Sequence, residues 1–285
     1  MQARGELFVV ATPIGNLADI TQRALEVLAS VDWVAAEDTR HTRRLLAHYG
    51  IGTQLISLHA HNEHQRGERL LERLLEGERG ALVSDAGTPL ISDPGAVWVA
   101  RLRQAGVRVT PVPGPSALIA ALSAAGLPTD RFAFEGFLPT KGGARRQRLA
   151  ALRREPRTLV FYEAPHRLVA TLTDMIGFWG GGHACVVARE LTKRHESFVG
   201  DTLEAVLGHF QAHPEEVRGE LVILLGPAKR DDEEDQVRAE QLIQRLLEAG
   251  LSARTVAGIV ADTFEQPRNR VYRLVQALKS GDLLQ

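Results

Sequence analysis

One cysteine among 285 residues rules out a disulfide framework within the chain. Cys185 sits in the apolar run 184–188 and reads as a buried, reduced thiol rather than a nucleophile. No run approaches the roughly 18 apolar residues of a membrane-spanning helix. The stretch Met1-Gln-Ala-Arg-Gly-Glu6 lacks the apolar core of a signal peptide, so the expected address is the cytoplasm. Excess charge is also missing: 34 Lys and Arg against 35 Asp and Glu leave a net charge of −1. There is no global pull toward nucleic acid, and any such contact must come from local patches. The familiar phosphate loops are absent. No G-x-x-x-x-G-K-[ST] occurs, which argues against a P-loop nucleotidase. The loop Ala11-Thr-Pro-Ile-Gly-Asn16 lacks the G-x-G-x-x-G that would cradle a pyrophosphate. A ligand without phosphates fits better.

What is present is a set of loops built alike. Residues 81–95 carry Ser84 and Asp85 out of an apolar run into a loop with two glycines and two prolines, before a helical pattern resumes at Ala96. Apolar strand, small-residue loop and helix is how open α/β sheets build ligand sites at strand carboxyl ends. Glycine lets a ligand approach the backbone, proline stiffens the loop, and Asp85 can accept hydrogen bonds from hydroxyl or amino groups. Residues 11–16 follow the first strand in the same style and residues 111–117 a later one. Three such loops predict one small-molecule pocket.

The first half alternates. Strands are expected at 7–11, 33–37, 54–58, 81–84 and 107–112, with helices at 41–49, 63–76 and 96–105. Asp19, with Gln22 three residues on, fits a capping box for an earlier helix. The pattern is that of a mostly parallel sheet with helices on both faces. After residue 113 it changes. Strands are expected at 132–138, 158–163, 184–191, 196–200 and 220–225, with helices at 116–125, 143–154, 165–177 and 202–211. Closely spaced strands can pair as hairpins, so this half reads as α+β with mixed or antiparallel pairing. Residues 229–235 contain no apolar side chain and read as a solvated acidic linker. Beyond them come three short helices, with N-caps expected at Ser252 and Asn269 and a basic last member around Arg268, Arg270 and Arg273. This resembles a helix-turn-helix unit; a packing bundle with a charged face is the equal alternative. The expected division is 1–113, 114–228, the linker 229–235 and a helical module 236–285.

Several motifs together carry a resemblance. Val10-Ala-Thr-Pro-Ile-Gly-Asn-Leu17, Ala36-Glu-Asp-Thr-Arg40, residues 83–95 and Val112-Pro-Gly-Pro-Ser-Ala117 resemble the tetrapyrrole-methylase superfamily. Phe161-Tyr-Glu-Ala-Pro-His-Arg167 and Ala188-Arg-Glu-Leu-Thr-Lys-Arg-His-Glu196 are similar to its small-subunit ribosomal RNA methyltransferase I subfamily. The resemblance runs in order over nearly the whole chain. It implies two α/β domains of the tetrapyrrole-methylase type, the first mostly parallel and the second mixed, followed by a helix-turn-helix-like appendage. It implies S-adenosylmethionine (SAM) in a cleft between the domains. The implied reaction is methyl transfer to a cytidine ribose 2′-hydroxyl in the decoding region of 16S rRNA, and a homodimer is implied as well. By position, Pro13, Ile14 and Gly15 would line the pocket after the first strand. Asp85, Gly87 and Thr88 would hold the amino-acid tail or ribose, and Ser116 with Ala117 the tail. Adenine would meet backbone around Tyr162 and near residues 225–227.

In-line displacement at an activated methyl group gains much of its rate from holding the hydroxyl oxygen close to the methyl and collinear with the leaving sulfur. A ribose hydroxyl is a weak acid, so a general base, or a cation beside the emerging alkoxide, helps. Lys193, Glu190, Glu163 and Glu196 are the candidates, Lys193 because burial can lower a lysine's pKa. A structural salt bridge among Glu190, Lys193 and Arg189 explains the same residues. For RNA the candidate contacts are Arg40, Arg145, Arg146, Arg148, Arg167 and Arg270; the plainer readings are a local charge pair for Arg40, a structural role at the helix start for Arg167 and a solvated charged face for the others. His59, His61 and His64 lack a matching ligand set elsewhere, so no metal is expected. Two other functions compete. One is a superfamily methyltransferase acting on a corrin, a tetrapyrrole or a diphthamide-type substrate. The other is a non-catalytic regulator that senses a ligand and binds nucleic acid through 236–285. The basic tail favours RNA over a flat polyanion, and the three intact loops favour an enzyme over a sensor.

Overall fold

A computed structural model describes residues 5–59, 62–228, 232–264 and 266–280. The chain divides into two compact units, Met1–Ala228 and Lys229–Gln285.

In the first unit, β1 (Glu6–Val10), β2 (Trp33–Ala36), β3 (Gln54–Ser57), β4 (Arg79–Val83) and β5 (Arg108–Val112) form a sheet in the order β3-β2-β4-β1-β5. Every neighbouring pair is parallel. Parallel strands need helical crossovers, which bury both faces and make the strands continuous apolar runs; all four residues of β2 are buried. Alternate residues serve opposite faces. Val34 and Ala36 pack under α1 (Gln22–Ser30) and α2 (Thr39–His48). Trp33 and Ala35 pack under α3 (Glu63–Leu75) and α4 (Ala96–Gln104). Thr21, not Asp19, caps α1, its side chain accepting the Ala24 N–H at 3.1 Å. Asp19 closes a short 3-10 turn that Asn16 caps. Asp38 caps α2 through the Arg40 N–H, which starts that helix two residues before the expected His41.

The second half of this unit contains α5 (Ala117–Ala124), β6 (Phe132–Phe137), α6 (Gly142–Leu152), β7 (Thr158–Glu163), α7 (Leu168–Trp179), β8 (Ala184–Arg189), β9 (Ser197–Thr202), α8 (Leu203–Ala212) and β10 (Leu221–Leu225). Its sheet runs β6-β7-β10-β8-β9. β6 and β7 are parallel and the other pairs antiparallel, including the expected β8–β9 hairpin. One face packs against α6, α7 and α8 around Phe161, Met175 and Phe210. The other receives Leu118, Ala121 and Leu122 of α5 together with Ile14 from the loop after β1. Ile14 thereby ties the two sheets. Cys185 is buried, and burial pushes its thiol up, away from the reactive thiolate.

The second unit comprises α9 (Asp232–Glu248), α10 (Ala253–Thr263) and α11 (Arg268–Ser280) around Ile243, Val256, Val260, Val271 and Val275. α9 begins inside the run expected as a linker; residues 229–231 lie outside the described residues. Ser252 caps α10. Asn269 lies within α11, whose start directly after Pro267 uses proline's helix-compatible φ. Among the described residues no helix is long and apolar enough to cross a membrane.

Gly80 in β4 faces Trp33 so closely that an added Cβ would sit 2.2 Å from the indole. Gly80→Ala is expected to cost about 1–3 kcal/mol through overpacking. Urea unfolding checks this as a lower midpoint at unchanged m; equal midpoints would contradict the packing.

Candidate functional site

The loops at the carboxyl ends of β1, β4 and β5 are fastened to one another by backbone. Thr12 and Gly87 form an isolated antiparallel bridge, with N–H to carbonyl distances of 2.9 and 3.0 Å. Thr12 Oγ1 donates to the Ser84 carbonyl and Ser84 Oγ to the Gly87 carbonyl, both at 3.1 Å. Thr88 Oγ1 donates to the Pro115 carbonyl at 3.0 Å. Asp85 Oδ1 accepts the Asp38 N–H at 3.0 Å, which adds the loop after β2. Gly87 has φ of 81°, a left-handed conformation that side chains resist, and a Cβ there would lie 3.3 Å from Ile14 Cγ2. Leu90 and Ser92 are left-handed too, at φ of 73° and 67°; such strain concentrates at functional loops.

Two adjoining cavities open at these loops. The first, about 380 Å³, has Ile14, Gly87, Thr88, Ser116 and Ala117 on one side and Tyr162, Glu163, Leu191 and Val222 on the other. Ile91 and Phe137 also line it and are partly exposed. Tyr162 packs edge-on against Phe134 and Phe137, with ring centroids 4.9 and 5.7 Å away. The second, about 310 Å³, is bounded by Pro13, Gly15, Asp85, His41, Arg44 and Lys193. The cavities share Ile14, Ala86 and Glu220. Of the residues singled out for the cofactor, Gly87, Thr88, Ser116, Ala117 and Tyr162 border the first cavity, Pro13, Gly15 and Asp85 the second, Ile14 both, and residues 225–227 neither. Gly15 is needed for close approach: a Cβ there would meet Lys193 Cγ at 2.5 Å.

The charged candidates differ in what they have left to offer. Lys193 Nζ lies 2.8 Å from Glu190 Oε1 and 3.2 Å from Glu220 Oε2. Burial pulls its pKa down, but its hydrogen bonds to these carboxylates and their charges outweigh burial and leave it raised. The lysine is an ammonium, which reverses the lowered pKa expected from burial alone. Glu190 is lowered in turn: burial pushes it up, but Lys193 and the Glu220 N–H at 2.9 Å prevail. Glu163 is buried with both oxygens engaged. Oε1 accepts the Ala164 N–H at 2.8 Å and faces Arg167 Nε at 3.1 Å. Oε2 accepts the Thr171 hydroxyl at 2.6 Å. Glu196 accepts the Thr192 N–H at 2.5 Å, holding its loop.

Asp93, absent from the sequence-based candidates, lines the first cavity. Its carboxyl is pushed up to about 6, chiefly by burial and then by the charges of Glu37 and Asp85, against a hydrogen bond from Ser84. Its place beside Asp85 in the same loop is visible in the sequence; the approach of Glu37 is not.

Most arginines singled out for RNA have protein partners. Arg145 is buried, 2.7 Å from Asp174, so it braces α6 against α7 instead of facing solvent. Arg148 pairs with Glu135. Arg167 donates to the Leu138 carbonyl at 2.6 Å beside Glu163. Arg40 pairs with Asp38 at 2.8 Å and, by that hydrogen bond first, holds the Asp38 carboxyl down at about 2. Arg146, 3.7 Å from Asp174, is 57% exposed, and Arg270 is exposed on α11. The carboxylates that neutralise α6 come from β6 and α7, beyond the reach of a local charge count. His59 contacts the Asn62 amide at 3.0 Å, and His61 lies outside the described residues.

The raised Asp93 pKa has a consequence for stability. The folded chain holds this proton up to about pH 6, whereas an unperturbed side chain releases it near 3.8. The stabilising contribution is full below the ordinary value and is lost as pH rises through about 6. Asp93→Asn is therefore expected to raise Tm at neutral pH, with the gain vanishing near pH about 4. Thermal melts check this; an equal difference at both values would contradict it.

Residues 6–207 match the family of Tetrapyrrole (Corrin/Porphyrin) Methylases. A ribosomal RNA small subunit methyltransferase I of Xylella fastidiosa is 50% identical over 272 residues, covering 95% of this chain and 99% of the relative. Its counterpart in Pseudomonas aeruginosa is 51% identical over 276 residues, covering 96% and 97%. The uroporphyrin-III C-methyl transferase of Thermus thermophilus, solved in complex with S-adenyl homocysteine, superposes with a TM-score of 0.55 at 22% identity, over 78% of this chain and 97% of its own; that likeness carries the fold. The chain belongs to the tetrapyrrole methylase family, on the branch of the ribosomal RNA small subunit methyltransferases I.

Proposed function

We propose that this chain transfers a methyl group from SAM to 16S rRNA of the small ribosomal subunit, at the 2′-hydroxyl of a cytidine ribose in the decoding region. The observation that carries the reading is the pair of adjoining cavities, one suited to the donor and the other to an acceptor. Relatives named as ribosomal RNA methyltransferases at 50% identity over 95% of the chain favour RNA over a corrin, tetrapyrrole or diphthamide-type acceptor. They favour an enzyme over a ligand-sensing regulator as well.

The first cavity fits the donor. Its volume of about 380 Å³ is within the range of roughly 300–1,000 Å³ usual for small-molecule sites. Phe137, Ile91 and Tyr162 offer apolar surface to an adenine, and the backbone at Thr88 and Ser116–Ala117 offers polar groups to the amino-acid tail. Bound there, SAM supplies an activated methyl group for in-line displacement. The chain's own residues do the rest. The interlocked loops fix the donor wall, which limits the approach of the acceptor oxygen to a narrow range of geometries. Lys193 keeps its proton and so presents fixed positive charge near the meeting point of the cavities, where an alkoxide develops. Glu163 and Glu190 are tied by hydrogen bonds. Asp93, which lines the first cavity and whose carboxyl is pushed up to about 6 chiefly by burial, takes the role of proton acceptor in this reading.

Tritium transfer from labelled SAM to small ribosomal subunits, with digestion to nucleosides, tests the proposal. Label on a cytidine ribose is expected; folded, SAM-binding protein that leaves RNA unlabelled would overturn it. Lys193→Met removes the charge and keeps the stem. It is expected to lower kcat by about 10²- to 10³-fold with unchanged SAM affinity in calorimetry. Full activity in this variant would end the role given to Lys193.

A further inference from the structure

We propose that the smaller cavity beside α2 holds a backbone phosphate of the acceptor RNA, adjacent to the ribose to be methylated, with Arg44 and His41 as its ligands. The inference rests on the RNA-methylation reading and gives it a defined subsite.

His41 and Arg44 are three residues apart on α2, hence on one face of the helix, and both border the cavity. Both are exposed, and among the described residues neither side chain is engaged in a hydrogen bond or ion pair. The other charged groups on this wall already have partners within the protein, Asp85 through a backbone N–H only. Lys193 is shared between Glu190 and Glu220. Asp85 accepts the Asp38 N–H, and Asp38 is clamped by Arg40. Arg44, a fixed cation without a carboxylate partner, and the neighbouring imidazole of His41 are left facing a space of about 310 Å³.

The first cavity has the opposite character. Its charged lining groups among the described residues are Asp93, Glu163 and Glu220, all carboxylates. A phosphate meets only carboxylates among the charged groups of the donor cavity, whereas its neighbour sets Arg44 and Lys193 against Asp85 and Glu220. The cavities meet at Ile14, Ala86 and Glu220, so a nucleotide with its phosphate on Arg44 can reach its ribose toward the first cavity, past Gly15 and Lys193. The arginine fork suits two phosphate oxygens at once. The arginines of α6 serve less well, because Asp174 and Glu135 occupy Arg145 and Arg148.

The test compares the full-length parent with Arg44→Ala and Arg44→Lys. Methyl transfer to small ribosomal subunits is measured over a KCl series, alongside calorimetric titration with SAM. Arg44→Ala is expected to raise KM for subunits about tenfold and to flatten the slope of log KM against log[KCl] by about one, with kcat and SAM affinity unchanged. Arg44→Lys keeps the charge without the fork, so it restores the slope and only part of KM. Unchanged KM and slope in Arg44→Ala, with SAM affinity intact, overturns the subsite and leaves the RNA reading standing. A KM rise matched by an equal loss of SAM affinity also overturns it, because damage to the fold then accounts for the effect. A parent chain that labels no RNA overturns both.

Discussion

Two backbone hydrogen bonds between Thr12 and Gly87 hold the site together. They join the loop after β1 to the loop after β4 at the carboxyl edge of a parallel sheet, where neither loop has a strand left to pair with. The Thr12 and Ser84 side-chain bonds reinforce the same register, and Thr88 extends it to the loop after β5. The bridge also sets the direction in which Ile14 leaves the first loop. Ile14 packs into the core of the second sheet with Leu118 and Val222, so a local backbone contact orients one half of the first unit against the other. Glycine at 87 suits the contact, since side chains rarely adopt its φ of 81° and a Cβ there would crowd Ile14 Cγ2 at 3.3 Å.

Around that scaffold the cations stand on one side only. The charged lining of the cavity suited to the donor consists of carboxylates, of which Asp93 is destabilised in its ionised form. Its neighbour sets Arg44 and Lys193, with His41, against Asp85 and Glu220. The Lys193 ammonium is stabilised by Glu190 and Glu220, and the stem of this side chain crosses the first loop because Gly15 has no side chain to block it. The site therefore offers a methyl donor and an anionic polymer separate seats within reach of one another.

Much of this is legible in the sequence, and the illegible parts share a cause. Strands buried on both faces are continuous apolar runs, so the predicted strand at 158–163 coincides with β7 and the strand expected at 33–37 differs from β2 by one residue. The three small-residue loops are recognisable because glycine, proline and serine cluster at strand ends. Local sequence does not show which partner a polar group finds. Asp19 and Thr21 both have cap chemistry two residues apart, and only the docking of α1 decides for Thr21. Arg145 has the look of a phosphate contact until α7 brings Asp174 against it. Lys193 has the look of a depressed amine until Glu190 and Glu220 arrive from residues before and after it in the chain. Asp93 gains its character from burial first and then from Glu37, more than fifty residues earlier.

The account stands or falls on whether the Thr12–Gly87 bridge shapes the donor cavity. Isothermal calorimetry of SAM binding to Gly87→Ala, with circular dichroism as a check on folding, tests it most directly. Affinity weakened at least about tenfold in a folded protein is expected, because a Cβ at that φ strains the bridge and presses on Ile14. Undiminished affinity in a folded Gly87→Ala chain would contradict the account.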